Sequence, residues 1–205
     1  MKDTSGAQVL GRTSLKRLGI VMVPTVIAAG ALTVLMANGA IAVSFAISGQ
    51  TAQMTVGKLT GSGFAQYGGV DQMANGTNVP VAVSAFKTAT ITNGLCQSVS
   101  TNLGALGTYT LTLTATGGSA SDMIIDLQSL NANEADFTSM NIGQDASTVT
   151  TSAAGAHGTA GLFGQTADTA TLTGIKQVAN ATSAGTFNLQ NMGLSISKSS
   201  TGCIN

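Results

Sequence analysis

The sequence has few of the side chains that carry acid–base, metal or nucleic-acid chemistry. Charged residues make up 8% of its 205 residues, and it contains one histidine and two cysteines. After residue 48 there is no arginine, and four lysines against seven carboxylates leave a net charge of −3. Nucleic-acid surfaces need clustered Lys or Arg, so we expect no nucleic-acid partner. The same shortage removes an electrostatic dock for anionic lipid head groups.

What the sequence does contain is a run of thirty uncharged residues, Leu18–Ile47, directly after Lys16 and Arg17. As a helix the run would reach about 45 Å, against a bilayer core of about 30 Å. It predicts one N-terminal transmembrane helix, or alternatively a signal segment removed by cleavage at small residues. The residues at which a signal peptidase could cut are Ala40, Ala42 and Ala46.

The run also predicts the organisation and location of the chain. Basic residues precede it, so the N-terminus stays in the cytoplasm and the rest of the chain lies outside. We expect a basic cytoplasmic tail over 1–17, an anchor or signal segment over 18–47, and an exported domain over 48–205. The protein is then either a single-pass cell-membrane protein or, after cleavage, a secreted one.

Both cysteines, Cys96 and Cys203, fall in the exported part. In an oxidising compartment the expected state is one disulfide between them. A redox pair or metal site is disfavoured, because there is no CxxC pattern and only one histidine to complete a metal shell. We expect no cofactor.

The exported part reads as short strands separated by glycine and asparagine. The clearest is Thr108–Thr116, in which threonines alternate with apolar residues. Without a helical stripe after residue 50, the pattern predicts an all-β domain, an antiparallel sandwich or barrel. The other predicted strands are Val79–Phe86, Met123–Leu127, Thr169–Ile175, Thr186–Gln190 and Leu194–Ser199.

A β-solenoid is the alternative architecture. The segments Ala135–Gly143 and Gly185–Gly193 resemble each other, each with a phenylalanine followed by an Asn-hydrophobe-Gly sequence. Stacked solenoid coils would produce such sequence repeats, although the sequence shows no strict repeat period.

Catalytic chemistry finds little support. A GxSxG elbow is absent, and the nearest variant surrounds Ser183. His157 is the only imidazole base, and it lies in a glycine-rich loop. A catalytic triad of Ser183, His157 and Asp168 is therefore only a weak hypothesis. We expect no catalytic residues.

The sequence gives similarly weak support for a metal site. Carboxylates cluster in the middle of the chain and oxygen ligands suit calcium, but the EF-hand spacing is not met. We therefore expect no metal, and the cluster is interpreted as solubilising charge. Its weak candidates for metal ligands are Asp122, Asp126, Glu134 and Asp136.

Four segments carry a family resemblance: Ser44–Gln50, Gly63–Asp71, Val81–Phe86 and Asn141–Ser147. They resemble an actinobacterial exported family of unknown function, along nearly the whole chain. Some members of that family are labelled "cholesterol esterase", which would imply a serine hydrolase. The family brings no established catalytic residues to transfer, and it implies a cell-surface setting.

These observations favour a non-enzymatic cell-envelope protein, a structural or hydrophobic-ligand-binding β module held at the membrane by its N-terminal helix. The alternative is a lipid or ester hydrolase, as the family label would imply. A lipid or other hydrophobic ligand is the expected small-molecule partner. Unpaired strand edges would also allow homo-oligomers and self-assembly.

The N-terminal residue of the mature protein separates the anchor from the signal segment. Intact mass spectrometry of protein from cells should give a chain starting at Met1 or Lys2 if the helix is retained. A start between Val43 and Ile47 would instead establish cleavage and release.

Overall fold

A computed structural model of the protein describes residues 50–149 and 156–204. The predicted tail 1–17, the anchor or signal segment 18–47 and the cleavage residues Ala40, Ala42 and Ala46 lie outside these ranges. Among the described residues no helix is long and apolar enough to span a membrane. The described chain is all-β, as predicted, with strands β1 Ala52–Gln72, β2 Asn78–Asn102, β3 Thr108–Ala115, β4 Gly117–Asn131, β5 Glu134–Thr138, β6 Asn141–Asp145, β7 Phe163–Ser183, β8 Thr186–Gln190 and β9 Gly193–Ser197.

The nine strands form four long arms, and neighbouring arms run antiparallel. The first arm is β1 and the second is β2, and the third and fourth arms are each interrupted, as β3–β6 and β7–β9. The third and fourth arms keep almost the same antiparallel register along their whole length. The pairing shifts only slightly, at bulges. It runs through Asn141↔Thr166, Glu134↔Thr173, Ile124↔Ser183, Gly117↔Gln190 and Thr110↔Ser197.

Pairing between the arms forms a closed cycle, in which the fourth arm pairs with both the third and the first. β1 pairs with β2 and β7, β2 also pairs with β4, and β4 pairs with β7. The sheet therefore curls until its third and fourth arms meet. Because β5, β6, β8 and β9 are short and leave edges, the result is one curled antiparallel sheet rather than a clear barrel.

The solenoid alternative is wrong. Successive solenoid coils pair in parallel, whereas each pairing between described strands is antiparallel. The two similar segments instead lie at corresponding interruptions of the arms: one spans β5 and β6, the other β8 and β9.

Three neighbouring strands bend at one level, which is what allows arms of 21–25 residues to curl. β2 bends at Asn93 and Gly94, whose φ angles of 61° and 91° are left-handed. Between them and Gly174 of β7, with φ 60°, lies Gly57 of β1. A Cβ at Gly57 would stand 2.8 Å from the backbone carbon of Asn93, so the close approach requires glycine.

The main hydrophobic core fills the inside of the curl. Three phenylalanines anchor it: the ring of Phe64 lies 5.2 Å, centre to centre, from both Phe86 and Phe137. These rings come from three different strands, so they fix β5 against β1 and β2. Aliphatic side chains and six buried alanines complete the core, the latter being Ala89, Ala115, Ala120, Ala167, Ala170 and Ala179.

The two cysteines lie at disulfide-bonding distance, as predicted. Cys96 is in β2 and Cys203 is in the C-terminal segment after β9, with their Cα atoms 5.8 Å apart. Ser98 Oγ accepts a hydrogen bond of 2.8 Å from the backbone N–H of Cys203. These two contacts hold the C-terminal segment against the second arm, β2.

The close approach at Gly57 gives a stability prediction. Gly57→Ala should lower the free energy of unfolding by about 2–3 kcal/mol, because the backbone of Asn93 must move to make room. Gly68→Ala is the matched control in the same strand, since the nearest atom to its Cβ is 3.9 Å away. Urea titrations of both variants provide the measurement. Equal losses would show that the bend does not depend on this contact.

Candidate functional site

An apolar cavity of about 110 Å³ lies inside the curl, under β5. The three core phenylalanines form much of its wall, and none of its lining side chains is titratable. These residues come from five strands, and alternation explains neighbours two apart such as Phe64 and Gln66 or Ile175 and Gln177. In β1 and β7 the change of face between the lining residues coincides with the left-handed Gly63 and Gly174. The full lining is Leu59, Phe64, Gln66, Ser84, Phe86, Ile125, Leu130, Ala135, Phe137, Leu172, Ile175 and Gln177.

The cavity reaches the surface between β4 and β5. Leu130 at this point is 37% exposed, and Ala135 is also exposed. β5 pairs with β7 on one side, and its residues other than Phe137 are exposed, Ala135 at the edge of the cavity. A molecule can therefore place one end in the cavity while the rest stays outside. The mouth is defined here by Leu130 and Ala135.

Two buried polar side chains face this apolar space. Gln177 is 4% exposed, and its Nε2 donates to the Met54 sulfur at 3.4 Å. A thioether is a weak acceptor. Ser84 is 3% exposed, and its Oγ accepts from Gln66 Nε2 at 2.9 Å. Since a hydroxyl that accepts one bond still has its own proton to donate, both residues offer a donor to the cavity.

A second concave surface is a groove of about 450 Å³ along the level of the bends. Its lining consists of Thr55, Val56, Gly57, Asn93, Gly94, Leu95, Cys96, Asn133, Gly174, Ile175 and Lys176. Lys176 is its one charged lining residue.

An acidic cluster occupies the other face of the sheet. Asp126 lies between two core residues of β4, so alternation turns it outward, and it pairs across the strands with Val83. Val83 pairs in turn with Tyr67, which places Tyr67 and Asp126 in one cross-strand row. Asp71 Oδ2 accepts a 2.9 Å hydrogen bond from Asn180.

Asn180 is the extra residue of a bulge in the β4–β7 ladder. Asp126 pairs with Ala181 and Leu127 with Ala179, so Asn180 has no partner of its own in the register. Its side chain instead accepts from Gln128 Nε2 at 2.8 Å and donates to Asp71. The bulge thus carries polar groups into this face of the sheet.

The cluster shifts the protonation of its members. Burial, and secondly the nearby Asp71 carboxylate, raise the pKa of Asp126 to about 6. Burial, and secondly Asp126, also raise the pKa of Tyr67. Both shifts disfavour the charged form, as expected for acids that lose water and face like charge.

The hypothetical triad residues are not brought together. Ser183 and Asp168 are exposed residues of the same strand, β7, separated by 183 − 168 = 15 positions, or about 50 Å of strand. His157 is exposed outside the strands, with Nδ1 3.3 Å from the Gly158 carbonyl oxygen. A triad requires its side chains within hydrogen-bond reach. The described structure contains no such contact among the three.

The weak metal candidates are likewise dispersed. Asp122 and Asp126 belong to β4, whereas Glu134 and Asp136 are exposed on β5. Within residues 50–149 and 156–204, no group of three or more His, Cys, Asp or Glu is arranged to hold a metal ion. Asp145 of the same sequence cluster has a structural role: it accepts from the backbone N–H groups of Ser147 and Gly161, at 2.9 and 2.7 Å.

The residues that line the cavity were not recognised from the sequence. One local signal existed: alternation puts Gln177 on the face of Ile175 and Ala179, where an apolar residue is expected. Ser84 similarly interrupts an apolar stretch. The acidic cluster had no such signal, because Asp71 and Asp126 are far apart in the chain.

The fold and these sites define an antiparallel all-β domain with a small apolar cavity and a separate acidic cluster. The chain belongs to the DUF6230 family, a family of unknown function, whose model matches residues 48–204. No curated protein and no solved structure matches it. The predicted membership of an uncharacterised family is confirmed, while the actinobacterial origin and the esterase label stay predictions.

The acidic cluster predicts a pH-dependent stability. In the folded state Asp126 binds its proton up to about pH 6, against an ordinary value of 3.8. As pH rises from about 4 to 6, the unfolded chain ionises first, so the folded state loses stability, and the loss persists at higher pH. The shift corresponds to roughly 3 kcal/mol, reduced to about 1–2 kcal/mol by partial solvent exposure.

Asp126→Asn should therefore raise the free energy of unfolding by about 1–2 kcal/mol at pH 7.5 and change it little at pH 3.5. Denaturant titrations at both pH values measure the difference. Asp136→Asn, an exposed carboxyl on β5, is the control and should have the same small effect at both. A gain for Asp126→Asn that does not depend on pH would contradict the assignment.

Proposed function

We propose that the protein is a non-enzymatic β module of the cell surface that binds a hydrophobic ligand in the cavity under β5. The observation that carries the proposal is a cavity with no titratable lining residue, which opens at the surface between Leu130 and Ala135. Hydrophobic pockets with a few polar groups are typical of small-molecule sites.

The size of the cavity limits what enters it. About 110 Å³ is well below the roughly 300–1,000 Å³ of sites that enclose a whole drug-sized ligand. A dry cavity of about 150 Å³ is known to take benzene. The ligand therefore inserts a small ring or the end of an alkyl chain, and its remainder lies along the outside of β4 and β5.

The cell-surface part of the proposal is supported by the sequence. The uncharged run 18–47 behind basic residues favours export of the domain, and the two cysteines suit an oxidising compartment. A domain placed outside the membrane with an apolar, charge-free cavity is suited to hold a hydrophobic molecule near the lipid surface.

Blocking the mouth tests the proposal. In the ¹⁵N-labelled full chain, benzene should shift the backbone amide signals of Ala135, Phe137 and Gln177 in a saturable way. Ala135→Leu should abolish these shifts, because its larger side chain fills the mouth. Ala74→Leu, in the exposed β1–β2 turn, should leave them unchanged. The proposal fails if benzene causes no saturable shift at these amides, or if Ala135→Leu binds as the wild type does.

A further inference from the structure

Resting on the proposed function, we infer that the ligand carries an uncharged hydrogen-bond acceptor, such as an aldehyde, ketone or ester carbonyl, beside its apolar group, and that Gln177 and Ser84 bind this acceptor. The two side chains are the buried polar groups in the cavity wall whose donor capacity the described protein uses least.

Gln177 lies directly behind the mouth. Across the sheet it pairs with Leu130 on one side and with Met54 on the other. Leu130 is a mouth residue, so a group that enters past it reaches Gln177 first. The amide of Gln177 donates to the Met54 sulfur, a contact that a carbonyl oxygen would replace with a stronger bond.

Ser84 supplies the second donor from the strand opposite. Its backbone pairs with Gln66 of β1 and Ile125 of β4, which places it on the inner wall of the curl. Gln66 donates to its oxygen and in turn accepts from Gln165 at 2.6 Å. This chain of amides fixes the Ser84 oxygen as an acceptor and leaves its proton for another partner.

The same wall excludes charged ligands. A carboxylate in the cavity would lose its water without meeting a lysine, arginine or histidine, since none lines the space. An amide and a hydroxyl match a neutral carbonyl, which accepts two hydrogen bonds. A pure hydrocarbon would fit but would leave both donors with their present weak contacts.

Three probes that share a benzene ring separate these cases: benzene, benzaldehyde with a neutral carbonyl, and benzoate with a carboxylate, titrated against the ¹⁵N-labelled full chain at pH 7. Benzaldehyde should bind about 3- to 10-fold more tightly than benzene, the gain expected from one net hydrogen bond. Benzoate should bind more weakly than benzene. Dissociation constants come from the shifts of the Phe137 and Gln177 amides.

Variants assign the preference to the two residues. Ser84→Ala and Gln177→Met should each reduce the benzaldehyde preference toward onefold and retain benzene binding. Ser119→Ala and Gln72→Met, at exposed positions, should keep the wild-type ratio. If Gln177→Met does not fold, the wild-type ratio and Ser84→Ala still decide.

The outcomes separate this inference from the function it rests on. Absence of benzene binding to the wild type contradicts the proposed function. Benzene binding with equal affinity for benzaldehyde contradicts this inference alone. A preference that survives both Ser84→Ala and Gln177→Met shows that other groups bind the acceptor and also overturns it.

Discussion

The bend shared by three neighbouring strands is the constraint on which the structure depends. A straight strand of 21–25 residues would extend about 70–80 Å, far beyond what one small core can cover. At one level of the sheet the backbone is left-handed at Asn93, Gly94 and Gly174, and Gly57 lies between them without room for a side chain. Because the three turns coincide, the arms curl together and their pairing survives on both sides.

The cavity follows from this curl and from the small side chains inside it. Once β4 meets β7, phenylalanines from three strands converge, and Phe137 brings β5 over the opening. Much of the rest of the core is alanine, which occupies little volume on the inner face. Space remains where β5 meets β4, since the exposed Ala135 and the half-exposed Leu130 do not fill it.

Short strands with clear alternation could be predicted from the sequence, whereas only the part Thr169–Ile175 of the long β7 was predicted and none of β1. Thr108–Thr116 and Thr186–Gln190 correspond closely to β3 and β8. β1 was missed because its glycines are typical of turns. At Gly61 the missing side chain instead makes room for the Phe86 ring, whose Cε1 a Cβ there would meet at 2.9 Å. This is a tertiary contact with no local signal, and the same holds for the convergence of Ser84 and Gln177.

The conflicts between polarity and burial are concentrated along the β4–β7 ladder, the pairing that closes the sheet. Asp126, opposite Ala181, is a carboxyl beside a second carboxyl, and Gln177, opposite Leu130, is a buried amide bonded to sulfur. The ladder also contains register shifts on either side of Leu127. Conflicts of this kind are expected at functional or strained positions, because elsewhere local and global preferences agree. The ladder that completes the fold is thus the one in which a half-buried carboxyl lies on one face of the sheet and a buried amide, which we propose binds the ligand, lies on the other.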